Sequence, residues 1–292
     1  MKRRNIPLDW ISFWAARGFI AAAMAMPYPQ RVRFFGQVMA RLVGPISSYN
    51  NRVRENLGLV WPDMSEPDVR LLCQSVTDNM GRTTIENYSL AEFSAHCARL
   101  PLGGPGWEAF LEAYEGGRPT VFFSGHFGNY AAPRMALRAK GYSVGVLYRP
   151  FNNPFFERYH RNALEEIGPT FARGATGTSD MVRHLKGGNS IAIMADQHVH
   201  NGAPLTFFGL PAATSTSAAR LAIRYNAVLI PVYGVRQPDG LTFDLVFEPP
   251  VPVDDPDVMT QALNDSLEAM VRKHPGQWMW THRRWKLAAQ RS

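Results

Sequence analysis

A chain of 292 residues, 46% hydrophobic and 19% charged, has material for one large α/β domain or two small ones, and its composition excludes a disordered or disulfide-stapled protein. Its two cysteines, Cys73 and Cys97, stand in unrelated contexts without metal-ligand spacing and read as packing residues in a reducing compartment. The formal net charge of +7 favours an anionic partner: nucleic acid, an anionic membrane surface or an acidic carrier protein.

At the amino terminus Lys2, Arg3 and Arg4 precede a mostly apolar stretch over residues 10–26. Arg17 interrupts it, which is costly in a spanning helix and unfavourable in a cleaved signal core but suits a helix lying in the interface with its charged end snorkelling. The competing expectation is a first core helix of a soluble domain. Residues 31–42 then mix Arg31, Arg33 and Arg41 with Phe34, Phe35, Val38 and Met39, a composition suited to anionic headgroups. Residues 1–45 are therefore expected to be a helical membrane-associating region, and 46–292 a single unit, helical over 46–100 and α/β over 101–292.

Val69, Leu72, Cys73 and Val76 recur at i, i+3, i+4, i+7 and predict a helix from Ser65. After the turn-rich segment LPLGGPGW the pattern changes. A short buried strand is expected over 120–124, a helix over 131–140 ending at Gly141, a strand over 143–148 and a helix over 153–167. There follow a helix over 179–185, a strand over 190–195, a helix over 214–225, a strand over 228–235 and an antiparallel strand over 241–247. Met259, Leu263, Leu267, Met270 and Val271 mark a last amphipathic helix, started by Asp254, Asp255 and Pro256. This alternation predicts an α/β fold: a mixed, mainly parallel sheet flanked by helices, with functional groups at strand ends.

The segment VFFSGHFGNYA places His126 directly after a hydrophobic strand, rigidly held yet accessible, with an ordinary pKa that lets it take a proton from a hydroxyl. Asp196, His198 and His200 alternate as ligands on one strand face can, although a metal site is not expected. The run GATGTSD from Gly174 lacks the lysine and spacing of a P-loop and is expected to cap a helix. Residues 278–286 join three tryptophans to Arg283, Arg284 and Lys286, which suits a membrane interface or an acidic carrier, or else core tryptophans beside a solvated basic face. No G-x-S-x-G elbow supports a serine hydrolase, and Ser124 is too close to His126 in sequence. Nucleic acid is not an expected partner, because no binding motif occurs and the basic residues are dispersed.

Taken with LYRPFNNP around Arg149, IMADQH around Asp196, FFGLPAATSTSAARLA from Phe207, IPVYGVRQPDG from Ile230 and PGQWMWTHRRWK from Pro275, the His126 segment resembles the bacterial lipid A biosynthesis acyltransferases. These belong to the wider glycerolipid acyltransferase group, and ENLGLVWPDMSE from Glu55 is a weaker echo. The resemblance implies transfer of a fatty acyl group from acyl carrier protein or acyl-CoA to a hydroxyl of a lipid A precursor, a lysophospholipid or a lyso-aminolipid. It implies no cofactor, and a peripheral or monotopic place at the cytoplasmic face of the inner membrane. His126 would be the base, and Arg149 would grip an anionic group of the acceptor or pair with Asp196. Substrate would meet Gly128 and Asn129, whose backbone amides could serve an oxyanion, with Tyr148, Asn153, Arg283 and Arg284.

One position departs from the resemblance. The family has Asp or Glu after four residues beyond the histidine, and here that position is Ala131. Three explanations are open: an engineered loss of the carboxylate, which the intact remaining blocks favour; a natural loss of catalysis, leaving a lipid-binding homologue; or a carboxylate supplied from elsewhere in the fold.

Overall fold

The computed structural model describes residues 6–286, so the basic triplet Lys2, Arg3 and Arg4 lies outside the described residues. Residues 6–97 are mainly helical: α1 (Ile6–Met24), α2 (Tyr28–Val38), a widened turn over Met39–Val43, the single turn α3 (Gly44–Ile46), α4 (Tyr49–Val60), α5 (Glu66–Tyr88) and α6 (Leu90–Cys97). The apolar positions Leu72, Cys73 and Val76 lie on the buried side of α5, and Ser65 caps it by accepting from the Asp68 amide at 3.3 Å. In α1 only Ile20 and Ala23 are buried, whereas Ile6, Leu8, Trp10, Ile11 and Trp14 are each more than half exposed. Arg17 is exposed on this helix. Its guanidinium lies 4.7 Å from the centre of the Tyr159 ring, a cation–π contact that docks the helix. Among the described residues no helix is long and apolar enough to cross a membrane.

The remainder runs α7 (Pro105–Glu115), β1 (Thr120–Ser124), α8 (Ala132–Ala139), β2 (Val144–Tyr148), α9 (Pro154–Ile167), β3 (Thr170–Ala172), α10 (Ala175–Lys186), β4 (Ser190–Met194), β5 (Ala203–Phe207), β6 (Leu210–Thr214), α11 (Ser217–Arg224), β7 (Val228–Arg236), β8 (Phe243–Phe247) and α12 (Pro256–Lys273). Six strands form one sheet in the order β3-β2-β4-β1-β7-β8, parallel except for β8, which returns antiparallel along β7. The mixed, mainly parallel sheet expected from the alternating pattern is therefore present. β1 is central and buried along its whole length, because each face of the sheet is covered and alternate residues serve opposite layers. Val121 and Phe123 join α11, α12 and the tryptophans on one side; Phe122 meets Phe110 of α7 on the other.

Sequence and structure differ at several places, among them α7 and β3, which the sequence pattern does not predict. Residues 203–214 form the β5–β6 hairpin, whose turn carries positive φ at Phe208 (55°) and Gly209 (70°); a Phe-Gly turn lacks the Asn-Gly signal that marks such a reversal. Thr214 consequently ends a strand, and the helix expected from there begins at Ser217. The GATGTSD run belongs largely to α10 itself, with Gly174 immediately before its first turn.

Candidate active site

The register of two parallel strands builds the site. Ser124 of β1 pairs with Met194 of β4, so His126 and Asp196, each two residues further on, emerge side by side beyond the carboxyl ends of adjacent strands. Asp196 Oδ1 lies 2.8 Å from His126 Nδ1, and Asp196 Oδ2 accepts from the His126 backbone N–H at 2.7 Å and from the Trp278 indole N–H at 3.0 Å. Gly125 leaves the room for this approach, since a Cβ there would lie 3.2 Å from Asp196 Oδ2 and 2.8 Å from Leu267. The segment after α12 closes the other side: the Met279 amide donates to the His126 carbonyl at 3.0 Å, and Phe127 bridges to Trp278.

Electrostatics follow from that geometry. Burial pushes the Asp196 carboxyl up, but the His126 charge, the hydrogen bonds from His126 and the Trp278 indole together hold it down at about 2. For His126, burial pushes the pKa down, while the charge and hydrogen bond of Asp196 push it up, and the net value is above the ordinary 6.5. An ionised carboxylate can only accept, so Nδ1 carries the proton and Nε2 offers its lone pair. The imidazole side chain is 22% exposed while that of Asp196 is 1% exposed, which leaves the imidazole accessible and its partner sealed. Tyr130 meets the imidazole edge-on at 5.4 Å.

Several expected roles are corrected. Arg149 does not pair with Asp196, whose two oxygens are engaged as above; Arg149 is exposed and has no ion-pair or hydrogen-bond partner among the described residues. Because Tyr148 pairs with Ala172, Arg149 is the register neighbour of Arg173, another exposed guanidinium without a described partner. Sequence reading missed Arg173, since only the pairing of β2 with the three-residue β3 brings it there. The backbone amides of Gly128 and Asn129 are not free for an oxyanion: they donate to the carbonyls of Gln277 (2.9 Å) and Gly234 (3.0 Å). Tyr148 donates its hydroxyl to Glu157 at 2.6 Å. Asn153 caps α9, accepting from Phe155 and Phe156, and its amide donates to the Asp9 carbonyl of α1 at 2.6 Å.

The carboxyl-terminal aromatic segment is also internal. Trp278, Trp280 and Trp285 are fully buried and pack on one another and on Phe207 and Phe208, so the interfacial reading of these rings is overturned. Arg284 is 1% exposed and donates to the Ala213 carbonyl and the Thr214 hydroxyl, which removes it from any solvated basic face. Arg283 is exposed and pairs with Glu55 at 3.4 Å. Asp196, His198 and His200 do not converge as metal ligands; among the described residues no three His, Cys, Asp or Glu side chains do. The His198 amide instead donates to His282 Nε2 at 3.0 Å. Ala131 is buried, its amide donating to the Asn129 side chain, and it packs in the cluster of Phe93, Met135 and Ile167.

A histidine fixed by a buried carboxylate at the carboxyl ends of parallel strands, with its other nitrogen open to solvent, defines an α/β protein equipped to deprotonate a hydroxyl. The family model for bacterial lipid A biosynthesis acyltransferases matches residues 1–287, and the chain belongs to that family. It is similar to the lipid A biosynthesis lauroyltransferase of Escherichia coli (strain K12), with 25% identity across 96% of this chain and 92% of that protein. It is also similar to lipid A biosynthesis acyltransferase 2 of Shigella flexneri, with 22% identity across 94% and 89%, and to the E. coli lipid A biosynthesis palmitoleoyltransferase, with 23% across 96% and 92%.

Proposed function

We propose that this chain transfers a fatty acyl group from a thioester, carried by acyl carrier protein or CoA, to the hydroxyl of a lipid A precursor or a related lyso-lipid, with His126 as general base and Asp196 as the carboxylate that orients it. The observation that carries this reading is the 2.8 Å contact between His126 Nδ1 and Asp196, which leaves Nε2 as the nitrogen that can act as base. His126 Nε2 takes the hydroxyl proton as the oxygen attacks the thioester carbonyl carbon. The tetrahedral adduct then expels the thiolate, which recovers the proton from the imidazolium and leaves as the free thiol. Relatives named as a lauroyltransferase and a palmitoleoyltransferase of lipid A biosynthesis support the acyl and acceptor classes. The formal charge of +7 suits an acidic carrier as donor. The open apolar side of α1 supports peripheral attachment through residues 1–45, at the cytoplasmic face of the inner membrane, beside anionic lipid.

Comparison of the lipids of a deletion strain with its parent tests the acceptor: an accumulated lyso-lipid identifies it. Purified protein with that lipid and an acyl thioester should release free thiol and form the ester. Lipid binding without thioester consumption would establish the non-catalytic homologue instead. That alternative fits every sequence block and also Ala131; the Asp196 contact supports the catalytic reading over it, because a carboxylate lies on His126 although position 131 holds alanine. Ala131→Glu should accordingly give no gain in kcat, and it should lower the melting temperature, because a carboxylate enters an apolar cluster at a cost of about 1–3 kcal/mol. A rate gain of tenfold or more would return the catalytic carboxylate to position 131.

The unpartnered Arg149 supports recognition of an anionic group on the substrate, with Arg173 beside it. Arg149→Ala should reduce kcat/KM by about 10²-fold, in line with loss of a charge-assisted bidentate contact worth about 3 kcal/mol. Arg149→Lys should recover only part of this, because an ammonium lacks the planar fork. Steady-state kinetics with the lysine variant at wild-type efficiency would exclude bidentate recognition.

A further inference from the structure

A buried polar network lies behind the histidine, between α5, β7 and the loop after His126. The inner face of α5 is apolar at Leu72, Cys73 and Val76, then turns polar at Asn79, Thr83 and Glu86, spaced i, i+4, i+7 so that they form one stripe. Polar groups in such a position weaken a core unless every one is matched, and here each is matched to the loop after His126. The Gly128 carbonyl accepts from Asn79 Nδ2 at 3.0 Å and from the Thr83 hydroxyl at 2.9 Å. The Asn129 amide group donates to Glu86 Oε2 at 2.8 Å. Arg236, the last residue of β7, completes the set: it grips Glu86 with both terminal nitrogens at 2.6 and 2.7 Å, and its Nε donates to Asn79 Oδ1 at 2.8 Å.

The loop is held just as closely from the other side. Gly128 has φ +55°, and a Cβ there would lie 1.9 Å from the Gly234 carbonyl, so this backbone is pressed against β7 with no room for adjustment. The Gln277 side chain ties β7 in turn, accepting from the Arg236 amide and donating to the Arg236 carbonyl, each at 2.8 Å. A single residue, Phe127, separates this clamp from His126.

We infer that Asn79, Thr83 and the Glu86–Arg236 pair are positioning residues for His126, acting through the Gly128–Asn129 backbone. The inference rests on the proposed role of His126 for its kinetic consequence and on geometry alone for its structural one. A hydrophobic α5 face would hold the sheet and helix together equally well, whereas donors directed at the Gly128 carbonyl add a constraint from the α5 side on the angle at which the chain leaves His126. A tilt there lengthens the contact with Asp196 and misdirects Nε2.

Thr83→Val keeps the shape and removes the hydroxyl, and Thr83→Ser keeps the hydroxyl. For Thr83→Val in the full chain we expect kcat to fall about 10–100-fold, with KM for both substrates within about twofold of the parent. The downfield proton resonance of the His126 Nδ1–H, assigned by its absence in His126→Ala, should shift or broaden. Thr83→Ser should restore both. An unchanged resonance and unchanged kcat in folded Thr83→Val would overturn the inference, as would equal losses in the serine and valine variants. If Thr83→Val does not fold, Asn79→Asp, which keeps the oxygen facing Arg236 and loses the donor to Gly128, is read by the same two measurements and the same criteria. The two proposals fail separately: activity surviving in His126→Ala removes the catalytic reading, while the resonance still reports whether α5 sets the geometry.

Discussion

Asp196→Asn should lower kcat by about 10⁴-fold with little change in KM, the loss expected when a histidine base keeps its place but loses the carboxylate that sets its tautomer and stabilises its charged form. The amide is nearly isosteric, and its remaining oxygen can still accept from the His126 backbone or the Trp278 indole, so the site should keep its shape. The pH profile provides the sharper reading. In the parent the base must be neutral, and Asp196 raises the His126 pKa above 6.5 against the opposing effect of burial; activity should therefore rise with pH through a value above 6.5. In Asp196→Asn only the lowering effect of burial remains, so the rising limb should move to lower pH while its plateau falls. Stability should respond in a defined window. The raised His126 pKa gives a contribution fully present below 6.5 and lost as pH rises past the elevated value. The lowered Asp196 pKa gives one present above 3.8 and lost as pH falls toward about 2. The denaturation midpoints of parent and variant should thus differ most between these limits and converge outside them. A variant with unchanged kcat and an unshifted limb would remove Asp196 from the mechanism.

That pair marks the boundary of what the sequence could convey. Both residues were legible as candidates, because each follows a short hydrophobic run that reads as a strand. Their partnership was not legible. Seventy residues separate them, and the contact depends on β4 lying next to β1 in a register that no local pattern encodes. The family spacing directed attention to Ala131, five residues along the chain, whereas the fold brings a carboxylate from the neighbouring strand. Arg149 and Asp196 were each recognisable as strand-end residues, yet adjacency alone does not pair them: β2 does border β4, but His126 and Trp278 already occupy the carboxylate. The tryptophans show a similar limit. Beside Arg283, Arg284 and Lys286 they have the composition of an interface, and only the hairpin of β5 and β6, carrying Phe207 and Phe208, turns them into core. Glu86 and Arg236 were invisible as a pair because a helix and a distant strand end supply them.

Their burial makes the last expectation the largest in stability. Glu86 is 0% and Arg236 6% exposed as side chains, and Arg236→Met leaves the carboxylate without its counter-charge in a site sealed from water. The cost should be about 3–5 kcal/mol, the usual penalty for removing one partner of a buried pair. The reverse change, Glu86→Leu, strands the guanidinium at a comparable cost. Combining them removes both charges, and since a buried ion pair is frequently no better than apolar side chains of similar volume, Glu86→Leu with Arg236→Met should recover most of the lost stability, so that the two effects are far from additive. Activity should not follow. The double variant has lost the acceptor for Asn129 and the donor to Asn79, so from α5 the loop carrying His126 keeps only the Asn79 and Thr83 contacts to the Gly128 carbonyl, with Asn79 no longer oriented by Arg236. Urea denaturation of the two single variants and the double variant, alongside acyl-transfer rates, separates the two roles. A double variant both stable and fully active would show that the pair serves neither, whereas stability regained with turnover still depressed is the result expected of a network kept for geometry at the expense of stability.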